Sequence, residues 1–290
     1  MSWRNVIISK RCKLDYKMGY LVIRENNVQR IFLDEIAMIL LENPAVSLTG
    51  CLIEALTEKK IKVIFCDTKH DPVAELIPYH GSHDSSLKIK QQSAWTDNCK
   101  AVIWQHIITE KIRNQMLFLD SLGKEREKNL LSEYMTQITP LDETNREGHA
   151  AKVYFNALFG MQFTRGADNP VNAALNYGYS ILLSAFNREI ALNGYLTQIG
   201  IFHDNRFNHF NLSCDLMEPF RYLVDQTVYE MKMPEFGKDE KHQLWTIFSQ
   251  PVIIGGSKQI VLNAIKIYTK RVLDCLTNNT PEALLFIERK

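Results

Sequence analysis

Apolar residues in this chain recur at every second position up to about residue 80 and at every third or fourth position beyond it. No single secondary structure serves both periods, so a sheet region must come first and a helical region after it. In the first stretch Cys12, Leu14, Tyr16, Met18 and Tyr20 alternate with polar neighbours. Gly19 permits a turn or bulge, and Asn26-Asn27 is a tight-turn dipeptide ahead of residues 28–33. The pattern predicts a meander of short antiparallel strands. Residues 36–41 continue the sheet, Ser47 or Thr49 caps a short helix bearing Leu52, Ile53 and Leu56, and strands follow over 61–66 and 73–77.

The stretch 79–86 is polar and without period, as a linker is. Past it, Trp95, Val102, Ile103, His106, Ile107 and Ile112 mark one helix, and Val153, Tyr154, Ala157, Leu158 and Met161 mark another. Asp168-Asn169-Pro170 combines a cap with a first-turn proline and opens a helix whose stripe runs from Leu175 to Ile190 before Gly194. Asp215-Leu-Met-Glu-Pro219 opens the next, and Gly255-Gly256 precedes a last helix over 257–276. The expected fold class is α+β: an N-terminal antiparallel β-domain over 1–80, a linker over 81–86, and a larger all-helical domain over 87–290.

Charge excludes little, because 34 Lys+Arg against 33 Asp+Glu leave a net charge of +1 and any basic surface must be local. The longest apolar runs, such as 37–41 and 252–254, fall far short of the ~20 residues that span a bilayer. The first residues lack the features of a signal peptide, which predicts a cytoplasmic protein and no membrane partner. Six cysteines with no CxxC pair read as packing residues of a reducing compartment. Gly255-Gly256-Ser257-Lys258 is not a Walker loop, so chemistry driven by ATP hydrolysis is not expected.

Three clusters in the helical half carry groups able to do chemistry: Glu147 with His149, His203 with Asp204, and Asp215 with Glu218. Each also has a plain structural explanation. Thr144-Asn-Arg-Glu147 and Asp215-Leu-Met-Glu218 both have capping-box spacing, and His203 can be a core histidine bonded to a carbonyl.

Four strings occur in order: Glu147-Gly-His-Ala-Ala-Lys-Val-Tyr-Phe155, Asp168-Asn-Pro-Val-Asn-Ala-Ala-Leu-Asn-Tyr-Gly-Tyr179, Gly200-Ile-Phe-His203 and Asp215-Leu-Met-Glu-Pro-Phe-Arg221. Together they resemble the CRISPR-associated integrase and endonuclease family, the catalytic subunit of spacer acquisition, in its type II version. The resemblance implies a β-domain followed by a helical catalytic domain. It also implies that Glu147, His203 and Glu218 are the catalytic metal ligands for Mg²⁺ or Mn²⁺. Asp215, one turn before Glu218, matches the family's accessory acid and stands behind the ligands or joins them. The implied reaction is attack of a 3′-hydroxyl on a phosphodiester of a CRISPR array, a transesterification that needs no nucleotide hydrolysis.

Arg146, Arg165, Arg206 and Arg221 sit in or beside these strings and are candidates for phosphate contacts. Lys266 and Lys270 on the last helix are candidates for holding DNA farther out, while Asn172 and Asn176 serve phosphate or tie their helix to its neighbours. By resemblance the partners are double-stranded DNA, both fragment and array, and a second copy joined through the β-domain. A small adaptation protein bridges two such dimers, and type II systems add a ring-forming DNA-end-binding helper and the RNA-guided effector nuclease. Two other functions compete: a branched-DNA endonuclease of repair, and a DNA-binding scaffold whose acids only cap helices.

Overall fold

In the computed structural model, which describes residues 4–78 and 82–288, the chain forms two units that divide between residues 81 and 82. Part of the expected linker, residues 79–81, lies outside the described residues, and the rest is already structured, since helix begins at Ser85.

The first unit contains β1 (Arg4–Ile8), β2 (Lys13–Lys17), β3 (Tyr20–Arg24), β4 (Val28–Phe32), β5 (Ile36–Leu41), β6 (Ser47–Leu48), α1 (Gly50–Glu58), β7 (Lys62–Cys66) and β8 (Pro72–Glu75). The expected antiparallel meander exists in β2, β3 and β4, which pair in that order. A wholly antiparallel domain does not. The other sheet has order β1-β5-β7-β8, and its first three strands run parallel, with Ile8 opposite Leu41 and Leu41 opposite Phe65. The reason is visible in β5, whose six residues IAMILL are all buried. A strand covered on both faces has no alternation, and α1 supplies the crossover that a parallel partner requires. Both sheets and α1 share one core, including Leu14, Leu21, Leu33, Ile39, Leu52, Leu56 and Val63.

The second unit contains α2 (Ser85–Ser93), α3 (Asp97–Ser121), α4 (Glu125–Thr136), α5 (Arg146–Phe159), α6 (Pro170–Leu192), α7 (Asn211–Met217), α8 (Arg221–Met231) and α9 (Lys238–Trp245). It ends with β9 (Pro251–Ile254), β10 (Ser257–Ile260), α10 (Val261–Asn278) and β11 (Ile287–Glu288). It is therefore not all helical: β10, β9 and β11 form an antiparallel sheet in that order. Gly255-Gly256, expected to precede the last helix, makes the β9–β10 hairpin instead, with φ of 56° and 71°, and α10 starts four residues later than expected. Pro219 likewise does not open a long helix. It sits in a single 3₁₀ turn, Glu218–Phe220, between α7 and α8, where its missing amide costs no helical bond.

The axis of this unit is α3, whose buried face carries Ile103, Trp104, Ile107, Ile108, Phe118 and Leu119. Helices α6 and α8 approach closely at Gly178, where an added Cβ would lie 2.3 Å from Val224 Cγ1. That contact explains why a glycine interrupts the apolar Leu175–Tyr179 region. All six cysteines are unpaired, and Cys12, Cys66, Cys99 and Cys275 are buried. Among the described residues no helix is long and apolar enough to cross a membrane.

Candidate active site

The first turn of α5 is set by Asp142, not by the expected capping box. Its carboxylate accepts from the amides of Arg146 and Glu147 at 2.9 and 2.8 Å. To reach them the preceding turn holds Leu141, Asp142 and Asn145 at φ of 66°, 49° and 51°, a conformation that costs roughly 1 kcal/mol or more per non-glycine residue. Because Asp142 does the capping, the Glu147 side chain is released and points to α3. There Lys111 Nζ donates to Glu147 Oε1 at 2.5 Å.

The same ammonium lies 2.6 Å from Glu218 Oε2, while Arg221 Nη2 stands 2.9 Å from Glu218 Oε1. Glu218 is 3% exposed and so belongs to the core. Burial pushes its carboxyl up, but the Arg221 guanidinium and the Lys111 ammonium outweigh burial and hold it below the ordinary glutamate value. Oε2 remains a buried acceptor with charge beside it but no partner of hydrogen-bond geometry.

His203 is fixed from the other side. Asp215, fully buried on α7, accepts from the amides of Ile201, Phe202 and His203 at 2.6, 3.1 and 3.1 Å, and its Oδ1 lies 2.5 Å from His203 Nδ1. Asp215 is therefore no cap; it ties a loop. Gly200 makes the tie possible, since a Cβ there would sit 2.3 Å from the His203 carbonyl oxygen and 2.8 Å from Asp215 Oδ2. Phe202 stacks on Trp104 with centroids 4.4 Å apart, and His203 meets the edge of the same indole. The hydrogen bond to Asp215 raises the His203 pKa against the opposing effect of burial. With Nδ1 engaged, Nε2 is the ring nitrogen left to act.

Behind the carboxylates, the Tyr179 ring lies 4.6 Å from the Arg221 guanidinium and 5.5 Å from that of Arg165. Arg165 donates to Asn172 Oδ1 at 2.5 Å and to Asn176 Oδ1 at 2.8 Å, so both asparagines hold the arginine and tie α6 to the loop before it. The Tyr179 hydroxyl donates to Asp225, a fully buried acid that burial pushes up to about 6.

The structure thus brings Glu147, Glu218 and Arg221 together, sets His203 on Asp215, and places Arg165 against the Tyr179 ring shared with Arg221. Arg146 instead lies 5.7 Å from the Tyr134 ring, and exposed Arg206 lies 4.8 Å from the Phe207 ring. Lys266 and Lys270 are exposed on α10, where Lys270 pairs with Asp274 at 2.7 Å. Sequence reasoning did not place Lys111 at this centre. The missed signal is its phase: it follows Trp104, Ile107 and Ile108 on the buried face of α3, and Asn114, donating to the Pro219 carbonyl at 3.1 Å, continues the polar stripe.

Two carboxylates and one imidazole nitrogen are hard and borderline donors that suit Mg²⁺ or Mn²⁺. The donor set fits such an ion because both carboxylates already face one cation, the Lys111 ammonium, and Glu218 Oε2 retains unused accepting capacity. The donors do not close on one point. Among the described residues no group of three or more His, Cys, Asp or Glu side chains has metal-ligating spacing.

A family model described as "CRISPR associated protein Cas1" matches residues 6–235, a span that holds Glu147, His203, Asp215 and Glu218. The "CRISPR-associated endonuclease Cas1" of Neisseria meningitidis serogroup C (strain 8013) is 37% identical over 232 residues, 80% of this chain and 76% of that protein. Among solved structures, a casposase bound to integration product superposes with TM-score 0.76 at 18% identity, covering 97% of this chain and 92% of that one. A chain of a Cas6-RT-Cas1–Cas2 complex gives TM-score 0.73 at 17% identity; 99% of this chain is covered, but only 36% of that longer chain. At such identities the structural likeness speaks for the fold, whereas the family model and the Neisseria relative speak for descent. This chain belongs to the CRISPR-associated Cas1 family.

Proposed function

We propose that this protein is a divalent-metal-dependent DNA integrase and endonuclease of CRISPR adaptation, of the type II kind, which inserts short fragments into an array by 3′-hydroxyl transesterification. The observation that carries the reading is the convergence of Glu147 and Glu218 on one cation position, on a helical unit where His203 is oriented by Asp215. Glu147, Glu218 and His203 Nε2 would hold Mg²⁺ or Mn²⁺. When bound, such an ion polarises the phosphate, helps the attacking hydroxyl ionise and stabilises the leaving oxygen, together several kcal/mol where each ~1.4 kcal/mol is tenfold in rate.

The chain's own groups do the positioning. Arg221 neutralises Glu218 and, with Arg165, presents fixed guanidinium donors for phosphate oxygens across the Tyr179 ring. Asp215 keeps Nδ1 of His203 engaged, so the imidazole meets its ligand through one defined nitrogen. Lys266 and Lys270 serve DNA outside this centre.

The β-domain carries assembly. Exposed Met18 (84%), Tyr20 and Phe32 lie together at the β2–β3 turn end of the meander, with Tyr20 and Phe32 in ring contact, the kind of surface a second copy covers. The small adaptation protein is the partner that bridges two dimers, in line with the Cas1–Cas2 naming of one structural neighbour, and DNA is the substrate, in line with the casposase bound to its integration product. The ring-forming helper and the effector nuclease act around this core, in the cytoplasm.

The test is to incubate the protein and its small partner with a labelled 3′-hydroxyl duplex and a supercoiled array plasmid, in Mn²⁺ or in EDTA. Joined product in Mn²⁺ alone is expected. Cleavage of branched DNA without joining would favour a repair nuclease, and binding without turnover would favour a scaffold.

A further inference from the structure

We propose that Lys111 is a resident cation that holds the metal position before the metal arrives and must leave it for the metal to bind. The inference rests on the metal reading given above. A divalent ion and an ammonium cannot share the space between Glu147 and Glu218, because like charges a few ångströms apart in a poorly hydrated site repel strongly. Lys111 is that ammonium, 2.5 Å from one carboxylate and 2.6 Å from the other, and it is 9% exposed. Both carboxylates are engaged by the ammonium, which stands where an ion shared between them would stand.

A lysine suits this role better than a second arginine. Its point charge substitutes for an ion without demanding a planar partner, and its flexible stem lets the ammonium move while α3 stays in place. A destination is at hand. Gln115, one turn along the same buried face, is 3% exposed and its Oε1 has no hydrogen-bond partner. The neighbouring Arg221 has no such freedom, being laid over the Tyr179 ring at 4.6 Å. One cation of the site is thus pinned and the other is exchangeable.

Mn²⁺ binding to the full chain without DNA, measured by calorimetry and by the electron paramagnetic resonance of free Mn²⁺, tests this directly. Lys111→Met should bind Mn²⁺ about tenfold or more tighter than wild type, a gap equal to one decade of Kd. It should also melt lower than wild type in EDTA and gain more in melting temperature from saturating Mn²⁺. Lys111→Arg, which keeps a cation, should bind Mn²⁺ no tighter than wild type. Unchanged or weaker binding by Lys111→Met overturns the proposal. If Lys111→Met shows no cooperative melt in EDTA, saturating Mn²⁺ must restore one, and failure to do so overturns the proposal equally. Glu218→Gln separates this from the reading beneath it. Mn²⁺ binding that survives Glu218→Gln places the ion elsewhere and removes both, whereas binding lost in Glu218→Gln but unchanged in Lys111→Met removes the role of Lys111 alone.

Discussion

His203 is oriented by a carboxylate tied to three backbone amides, whereas Glu147 and Glu218 are brought together by the end of one lysine side chain. The first arrangement cannot change without unfolding a loop. The second can change by rotating a side chain, on the nanosecond scale of rotamer exchange once space allows. One arm of the site is therefore built in advance, and the other is adjustable, as the proposed entry of a divalent ion requires. Preorganisation need not be uniform across a reaction centre; it is strongest where the backbone supplies the donors.

The largest expected effect breaks the rigid arm. Asp215→Ala removes the acceptor of three amides and an imidazole in a fully buried position, and should lower unfolding free energy by about 3–5 kcal/mol in urea denaturation. A loss below about 1 kcal/mol would mean that the loop holds its shape without Asp215.

Asp225, beneath the adjustable arm, gives the next effect through pH. Its carboxyl rises from 3.8 unfolded to about 6 folded, so the native state binds the proton more tightly and stability falls as pH rises through that window. The shift corresponds to about 3 kcal/mol lost between pH 4 and 6. Asp225→Asn should flatten that part of the stability–pH curve, and a curve identical to wild type would remove Asp225 as its origin.

Glu147→Ala sharpens the contrast between the arms. Glu147 is a quarter exposed and its helix is capped by Asp142, so the variant should keep its stability within about 1 kcal/mol while losing ~100-fold or more of joining. Glu218→Ala should lose both, because Lys111 and Arg221 would keep buried charges without their shared partner. Near-normal joining by Glu147→Ala would overturn the metal assignment.

The smallest effects concern DNA. Arg165→Glu should weaken affinity and slow joining at saturating DNA, whereas Lys270→Glu, already paired with Asp274, should change the salt slope of binding by about 0.9 or less and leave the chemical step alone. Equal effects of the two on joining rate would mean that the centre and α10 contact DNA as one surface.

The outline of this molecule was readable wherever one face of an element meets water. The alternation over residues 12–20 and the stripes of α3, α5 and α6 carry their periods openly. The β5 run hid its direction because burial on both faces erases alternation, and the hairpin at Gly255-Gly256 was hidden by its closeness to the start of α10. The acids of the site were legible as residues but not as roles. Capping-box spacing at Glu147 and Asp215 fits local rules, yet the actual partners come from Asp142, Lys111 and the loop at 201–203, which only the tertiary fold brings near. Lys111 itself was obscured by its chemistry, since a lysine in an apolar stripe reads as solvent-facing until its counter-ions are known.

Seen from a distance, the ion pairing of Lys111 and Arg221 with Glu147 and Glu218 also decides what field the centre projects. Two bare carboxylates would repel an approaching polyanion over roughly a Debye length, about 8–10 Å at ordinary salt. With both cations in place the negative and positive charges cancel, so a DNA backbone can drift up to the centre without meeting an electrostatic barrier.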